Sequence, residues 1–249
     1  MSKLNKQKVQ NLHKNGGDEL LVWRGDSKTK DVYFDDIIHI IKEESITNNV
    51  IDVYGEILLE LQGLVNPSLE DSAFIFTSTC LKAMQEYPPN KRNKLIDVHI
   101  KEYQGQRYFI FPIHGNFRWT IVVYDMKDNV WRHYNSLRPR PSIHDPYIDK
   151  AQIVRDYIEA LVHNIRPSSP LWTKLSSQNT SQPIISVDIC PQQALDSEDC
   201  GPTVCYIMRA HVYCEDIANS LNRFEWCQIR DSLVHIFLNH KKKVQCENL

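Results

Sequence analysis

The chain is short of several things, and each shortage removes a class of function. Its 249 residues include only 8 glycines and 12 prolines, so it is neither collagen-like nor low-complexity. No run approaches the roughly 18–20 apolar residues that a membrane-spanning helix requires, and the opening MSKLNKQKVQNLHKNGG lacks the apolar stretch of a secretory signal. Positive charge is not in surplus: 29 Lys and Arg stand against 31 Asp and Glu, leaving no bulk field to neutralise nucleic-acid phosphates or anionic lipid. C-x-x-C pairs are also missing. The cysteines number 7, and the nearest two, Cys200 and Cys205, lie five apart, which argues for reduced thiols rather than a disulfide framework or a zinc site. These shortages lead to the expectation of a cytosolic or nuclear protein with no nucleic-acid or membrane partner and no zinc site; a monomer without metal or organic cofactor is a further expectation, not one that composition shows.

What is present describes an ordinary globular protein: 42% apolar, 24% charged and 10% aromatic residues, in a length that suits one fairly large domain. Residues 1–17 read as a solvated tail ending at Gly16-Gly17, without apolar periodicity. Residues 18–249 read as a single domain. From Val32 to Leu61 the pattern is helical, interrupted at Asn48-Asn49, and Ala73 to Gln85 continues it as a further helix candidate before Pro88-Pro89. The middle changes character. Leu95 to Ile100, Arg107 to Ile113, Arg118 to Tyr124 and Val130 to Tyr134 are short runs rich in β-branched and aromatic residues, separated by turn signals. The stretch Trp119-Thr-Ile-Val-Val-Tyr124 does not alternate, which suits a central strand covered on both faces. Ala151 to Asn164 is an amphipathic helix, Ser168 to Gln182 a polar loop, Pro183 to Asp188 a short strand, and Pro202 to Ile217 and Phe224 to Lys241 close the chain as helices. A sheet sandwiched by helices follows.

The sharpest local feature is Asp199-Cys200-Gly201-Pro202. A proline is well placed in a first helical turn, so Cys200 is predicted at or just before a helix N-terminus. Free backbone N–H groups and the positive end of the helix dipole favour thiolate over thiol there, which is how reactive cysteines are made. A small buried residue opening a helix is the alternative, and this motif alone does not exclude it.

Three blocks then add up. Arg118-Trp119-Thr-Ile-Val-Val-Tyr-Asp125, Trp131-Arg-His-Tyr-Asn-Ser136 and Cys190-Pro-Gln-Gln-Ala-Leu-Asp-Ser-Glu-Asp-Cys-Gly201 resemble, in order and spacing, the signature blocks of the ubiquitin-like-protein-specific cysteine proteases. These are the SUMO-type peptidases of clan CE, with their plant and transposon-derived relatives. The resemblance runs from about Asn49 to Lys241. It implies an α+β, papain-like cysteine peptidase fold with a central mixed β-sheet flanked by helices. The activity it implies is cleavage after the Gly-Gly terminus of a ubiquitin-like modifier, which would be the partner.

Site residues follow from the same resemblance, position by position. Cys200 matches the nucleophile, and Asn135 stands where most relatives carry the aspartate that orients the histidine; an amide can still accept a ring N–H. The oxyanion glutamine falls within Pro191-Gln192-Gln193, and Gln193 is favoured. Trp119 is placed beside the groove, as a wall for a narrow Gly-Gly tail or as a core residue following the strand pattern.

Arg118 is the departure. Relatives carry a histidine immediately before this tryptophan. Arginine stays protonated and has no acceptor lone pair, so it can hold a thiolate by charge but cannot shuttle a proton. The expectation is a reactive thiol with impaired turnover. His114, four residues upstream, is the candidate substitute base; an unbroken strand would leave it about 13 Å away, and only the Gly115-Asn116 turn can bring it back. His133 shares the strand parity of Asn135 and reads as a packing residue or a surface hydrogen-bonding one. A catalytically silent relative that binds a ubiquitin-like modifier is the rival reading.

Overall fold

A computed structural model describes residues 3–16, 20–24, 30–65, 72–88, 91, 96, 105–140, 142–164 and 183–240. In chain order the elements are α1 (Lys3–Gly16), β1 (Leu21–Arg24), β2 (Asp31–Tyr33), α2 (Phe34–Ile41), α3 (Asn48–Val65), β3 (Ala73–Ile75) and α4 (Cys80–Glu86). They continue as β4 (Tyr108–Gly115), β5 (Arg118–Asp125), β6 (Val130–Tyr134), α5 (Pro146–Asn164), β7 (Ile184–Ser186), α6 (Cys200–Tyr213) and α7 (Arg223–Asn239).

The architecture is α+β, with a mixed sheet between helical layers. Strands run β3-β4-β5-β6-β7: β5 is antiparallel to both β4 and β6, and the short outer strands β3 and β7 pair in parallel with β4 and β6. Because β5 is third of five, all of it but Arg118 is buried, as its non-alternating sequence requires. One face of the sheet carries Trp119, Ile121, Val123 and Tyr134 against α3, α6 and α7. The other carries Val122, Tyr124 and Trp131 against α4 and α5. Helix α6 is apolar almost all round, which is the pattern of a helix enclosed on every side. Its first turn holds Pro202, and its last residue passes into Cys214, which takes a left-handed conformation at φ 55°. Helix α7 opens with a reciprocal cap in which Glu225 N donates to Asn222 Oδ1 at 3.1 Å and Asn222 N donates to Glu225 Oε2 at 2.7 Å.

Three expectations need correction. Residues 1–17 are not simply a solvated tail: 3–16 form a helix laid on α7, where Asn5 is buried and donates Nδ2 to Asp231 Oδ1 at 2.8 Å. Val9 and Leu12 pack against the core, two apolar residues being too few to raise a periodic signal. The helix predicted from Ala73 begins only at Cys80, because Ala73-Phe74-Ile75 pairs in parallel with Tyr108-Phe109-Ile110. Of the strand predicted over 95–100 only Ile96 is described, and it is helical and buried. The polar loop predicted over 168–182 lies outside the described residues. The remaining predicted elements stand within a few residues of the observed ones.

Candidate functional site

Two chain ends define the site: the start of β5 and the start of α6. The β4–β5 hairpin turns tightly through Asn116 and Phe117, both at positive φ (53° and 60°), so Gly115 pairs with Arg118 and His114 with Trp119. Helix α6 approaches from the β5 side and sets its first residue, Cys200, against this hairpin. The backbone N–H groups of Trp119 and Gly201 both reach the Cys200 sulfur, and the Arg118 guanidinium adds positive charge. Burial nevertheless outweighs these stabilising groups, with Glu198 adding to it, and the thiol is pushed above its ordinary pKa. The sequence named the helix N-terminus and Arg118 as stabilising groups but not the Trp119 N–H, and it could not show that Cys200 is buried, at 5% exposure.

Trp119 is core residue and wall at once. Its ring is buried, and its Nε1–H donates to the Ile46 carbonyl at 3.1 Å. Ile46 in turn lies directly over Gly201, where a β-carbon would collide with Ile46 Cγ1 and come within 3.4 Å of Trp119 Cδ1. Glycine is therefore needed after the cysteine for close approach. His114 is exposed and rests its ring on the Trp119 indole at 4.5 Å between centroids. Partial burial and then the charge of Lys150 lower its pKa. The turn does bring His114 to the site, but no hydrogen bond joins it, or any other described histidine, to Cys200.

Asn135 follows the last residue of β6 with its side chain engaged on both sides. Nδ2 donates to Asp145 Oδ2 at 2.9 Å, and Oδ1 accepts the Leu137 N–H at 2.9 Å. Asp145 precedes Pro146 at the start of α5, and its other oxygen accepts the Tyr147 N–H at 2.9 Å. His133 is fully buried two residues before Asn135, with Nδ1 at 4.0 Å from Asp145 Oδ2, and burial pushes its pKa down to about 4. Gln193 is buried as well: Oε1 accepts from Ser136 Oγ at 2.6 Å, and Nε2 donates to the Ser197 carbonyl at 2.7 Å. Among the described residues its second amide hydrogen has no partner. Gln192 donates Nε2 to the carbonyls of Asn135 and Cys190, both at 3.0 Å. The two glutamines thus brace the loop that delivers Cys200.

Sequence reasoning missed Ile46, Asp145, Tyr147 and Arg230. The Tyr147 hydroxyl donates to the Gly115 carbonyl at 3.0 Å and lies within the electrostatic reach of both Arg118 and Cys200. None of the four sits in a recognisable motif, and each reaches the site from an element distant in sequence. Among the described residues no group of three His, Cys, Asp or Glu is arranged to hold a metal. Chemically the site offers a shielded sulfur, backbone donors, a guanidinium and a phenol, with no imidazole bonded to the sulfur.

Comparison with known proteins separates fold from sequence. No family model and no curated protein sequence matches the chain. Solved structures do. The architecture is similar to the C-terminal Ulp1 protease domain in complex with Smt3, the yeast orthologue of SUMO, with TM-score 0.70 and 14% identity over 96% of this chain and 95% of that one. It is similar also to the catalytic domain of the Chaetomium thermophilum Ulp1-like SUMO protease, with TM-score 0.69 and 14% identity over 96% of this chain and 90% of that one. The Xanthomonas campestris effector XopD, bound to ubiquitin, matches at TM-score 0.50 and 15% identity over 77% of this chain and 90% of that one. The class defined is the Ulp1 protease-domain fold. This chain carries that fold through nearly its whole length.

Proposed function

We propose that the chain is a cysteine peptidase of the ubiquitin-like-modifier class, with Cys200 as its nucleophile and turnover held low by Arg118. The observation that carries this reading is the convergence of the Trp119 and Gly201 N–H groups and the Arg118 charge on one sulfur at the head of α6. The fold it shares with SUMO proteases supports the substrate class. In this reaction the Cys200 sulfur attacks the carbonyl carbon of the modifier's terminal glycine, the C–N bond breaks, and water then cleaves the thioester. The departing amine needs a proton. Arg118 cannot give one, and His114 is turned onto Trp119 without a bond to the sulfur. The unpartnered hydrogen of Gln193 would act as an oxyanion donor, whereas Asn135, the expected orienter, has its side chain taken up by Asp145 and the Leu137 N–H and, among the described residues, no histidine to orient. Trp119, with Ile46, walls the approach to Cys200 and suits a side-chain-free Gly-Gly tail.

A second reading, a modifier-binding protein without turnover, is favoured by the raised Cys200 pKa, which leaves the group mainly thiol at neutral pH. One experiment tests both. SUMO and ubiquitin ending in a propargylamide are expected to label Cys200, and Cys200→Ala to abolish labelling. Absence of labelling together with unchanged modifier affinity in Cys200→Ala would leave the binder; absence of both labelling and affinity would overturn the class.

A further inference from the structure

Arg230 lies in the middle of α7, outside every block that identifies the site, yet it is almost wholly buried. Among the described residues its guanidinium bonds to two segments. Towards the nucleophile loop, Nε donates to Asp199 Oδ1 at 3.0 Å and Nη2 donates to the Glu198 carbonyl at 2.8 Å. Towards the chain leaving α2, Nη1 donates to the carbonyls of Ile40 at 3.3 Å and Glu44 at 3.1 Å.

Each segment carries one half of the site. Asp199 is the residue before Cys200, and its carbonyl also accepts the Thr203 N–H at 2.9 Å in the first turn of α6. Glu44 is two residues before Ile46, which covers Gly201 and takes the Trp119 indole N–H. A second bond ties the same two segments, Ser45 Oγ donating to Glu198 Oε2 at 2.6 Å. A planar fork that donates in several fixed directions is what arginine offers and lysine lacks.

We propose that Arg230 is a positioning residue: it fixes the loop bearing Cys200 to the segment bearing Ile46, so that the sulfur and the wall of its groove keep one relative placement. This rests on the reading of Cys200 as nucleophile, and the test separates the two. Arg230→Lys keeps the charge and loses the fork; Asp199→Asn keeps the shape of the partner and loses the ion pair. Amide hydrogen exchange on the full chain is expected to quicken about tenfold over 194–201 and 40–47 together, with α5 unchanged, because release of a local tie opens only what it held. Iodoacetamide, which needs only access, should react faster with Cys200, whereas labelling by SUMO or ubiquitin propargylamide, which needs placement, should slow about tenfold. Exchange that rises over the whole chain, or stays as in the wild type, would overturn the clamp. If wild-type Cys200 takes no propargylamide probe, the peptidase reading fails, and exchange with iodoacetamide access still decides the clamp. If both variants take the probe at the wild-type rate, the clamp fails and the peptidase reading stands.

Discussion

One carboxylate, that of Asp145, holds the side chain of Asn135 at 2.9 Å with one oxygen and the backbone of Tyr147 at 2.9 Å with the other. It thereby joins the end of β6 to the start of α5 directly beside the site. Asn135 brings no charge of its own, and the negative group nearest to it stands ten residues later in the chain. Asp145→Ala removes a helix cap and a charge-assisted hydrogen bond at once. Urea unfolding should show a loss of about 2–4 kcal/mol, with Asp145→Asn losing less because it can still cap.

On the proposed peptidase reading, Arg118→His places a group able to carry a proton beside Cys200. The substituted protein should cleave fluorogenic modifier substrates about 10²–10⁴ times faster than the wild type, the usual weight of a general acid–base group. An equal rate in the two proteins would mean that the proton travels by another group, and Tyr147→Phe is then the variant to measure.

Acid should weaken the fold through its buried histidines. Burial lowers His133 and His211 to about 4 each. An unfolded histidine takes up a proton below about 6.5, so between that pH and about 4 the unfolded chain holds more protons than the folded one. Their contribution to stability is therefore whole above about pH 6.5 and is lost as the pH falls towards 4. Both His133 ring nitrogens lack a partner among the described residues. His133→Leu should accordingly cost little at pH 7 and flatten the decline in melting temperature on acidification by about half, leaving the part due to His211.

The contact over Gly201 should be measurable as a coupling. Gly201→Ala drives a methyl into Ile46 and is expected to cost about 1–3 kcal/mol despite the better helix propensity of alanine. Ile46→Ala vacates that space, so the double variant should be less destabilised than the sum of the single changes in a urea double-mutant cycle.

The sequence was most legible where a local rule governs. The consecutive strands β4, β5 and β6 declared themselves through β-branched and aromatic runs, and α6 through a proline in its first turn. Cys200, Arg118, Trp119, Asn135 and Gln193 were visible because they sit in compact blocks. Where partners are remote, nothing local marked them. Ala73-Phe74-Ile75 reads equally well as a helix or a strand until Tyr108 arrives to pair with it. Helix α1 depends on Asn5 meeting Asp231, more than two hundred residues away. Arg230 lies outside every block that the sequence singles out, and only the fold shows that its four acceptors belong to two separate segments, one leading into Cys200 and the other towards Ile46. The Cys200 pKa followed the same logic: the helix N-terminus and Arg118 were nameable beforehand, while the Trp119 N–H and the enclosing volume were not.

The tight turn through Asn116 and Phe117 sets the pairing of β4 with β5 from Gly115 opposite Arg118 to Tyr108 opposite Asp125. An insertion or deletion there would rotate every following side chain to the wrong face. Exchange of the residue at 118 leaves that register in place and alters the charge felt by Cys200 and Tyr147. On the proposed peptidase reading, competence at this position can be lost or regained by one codon while the strand pairing stays, so inheritance of the architecture and inheritance of the reaction are separate matters.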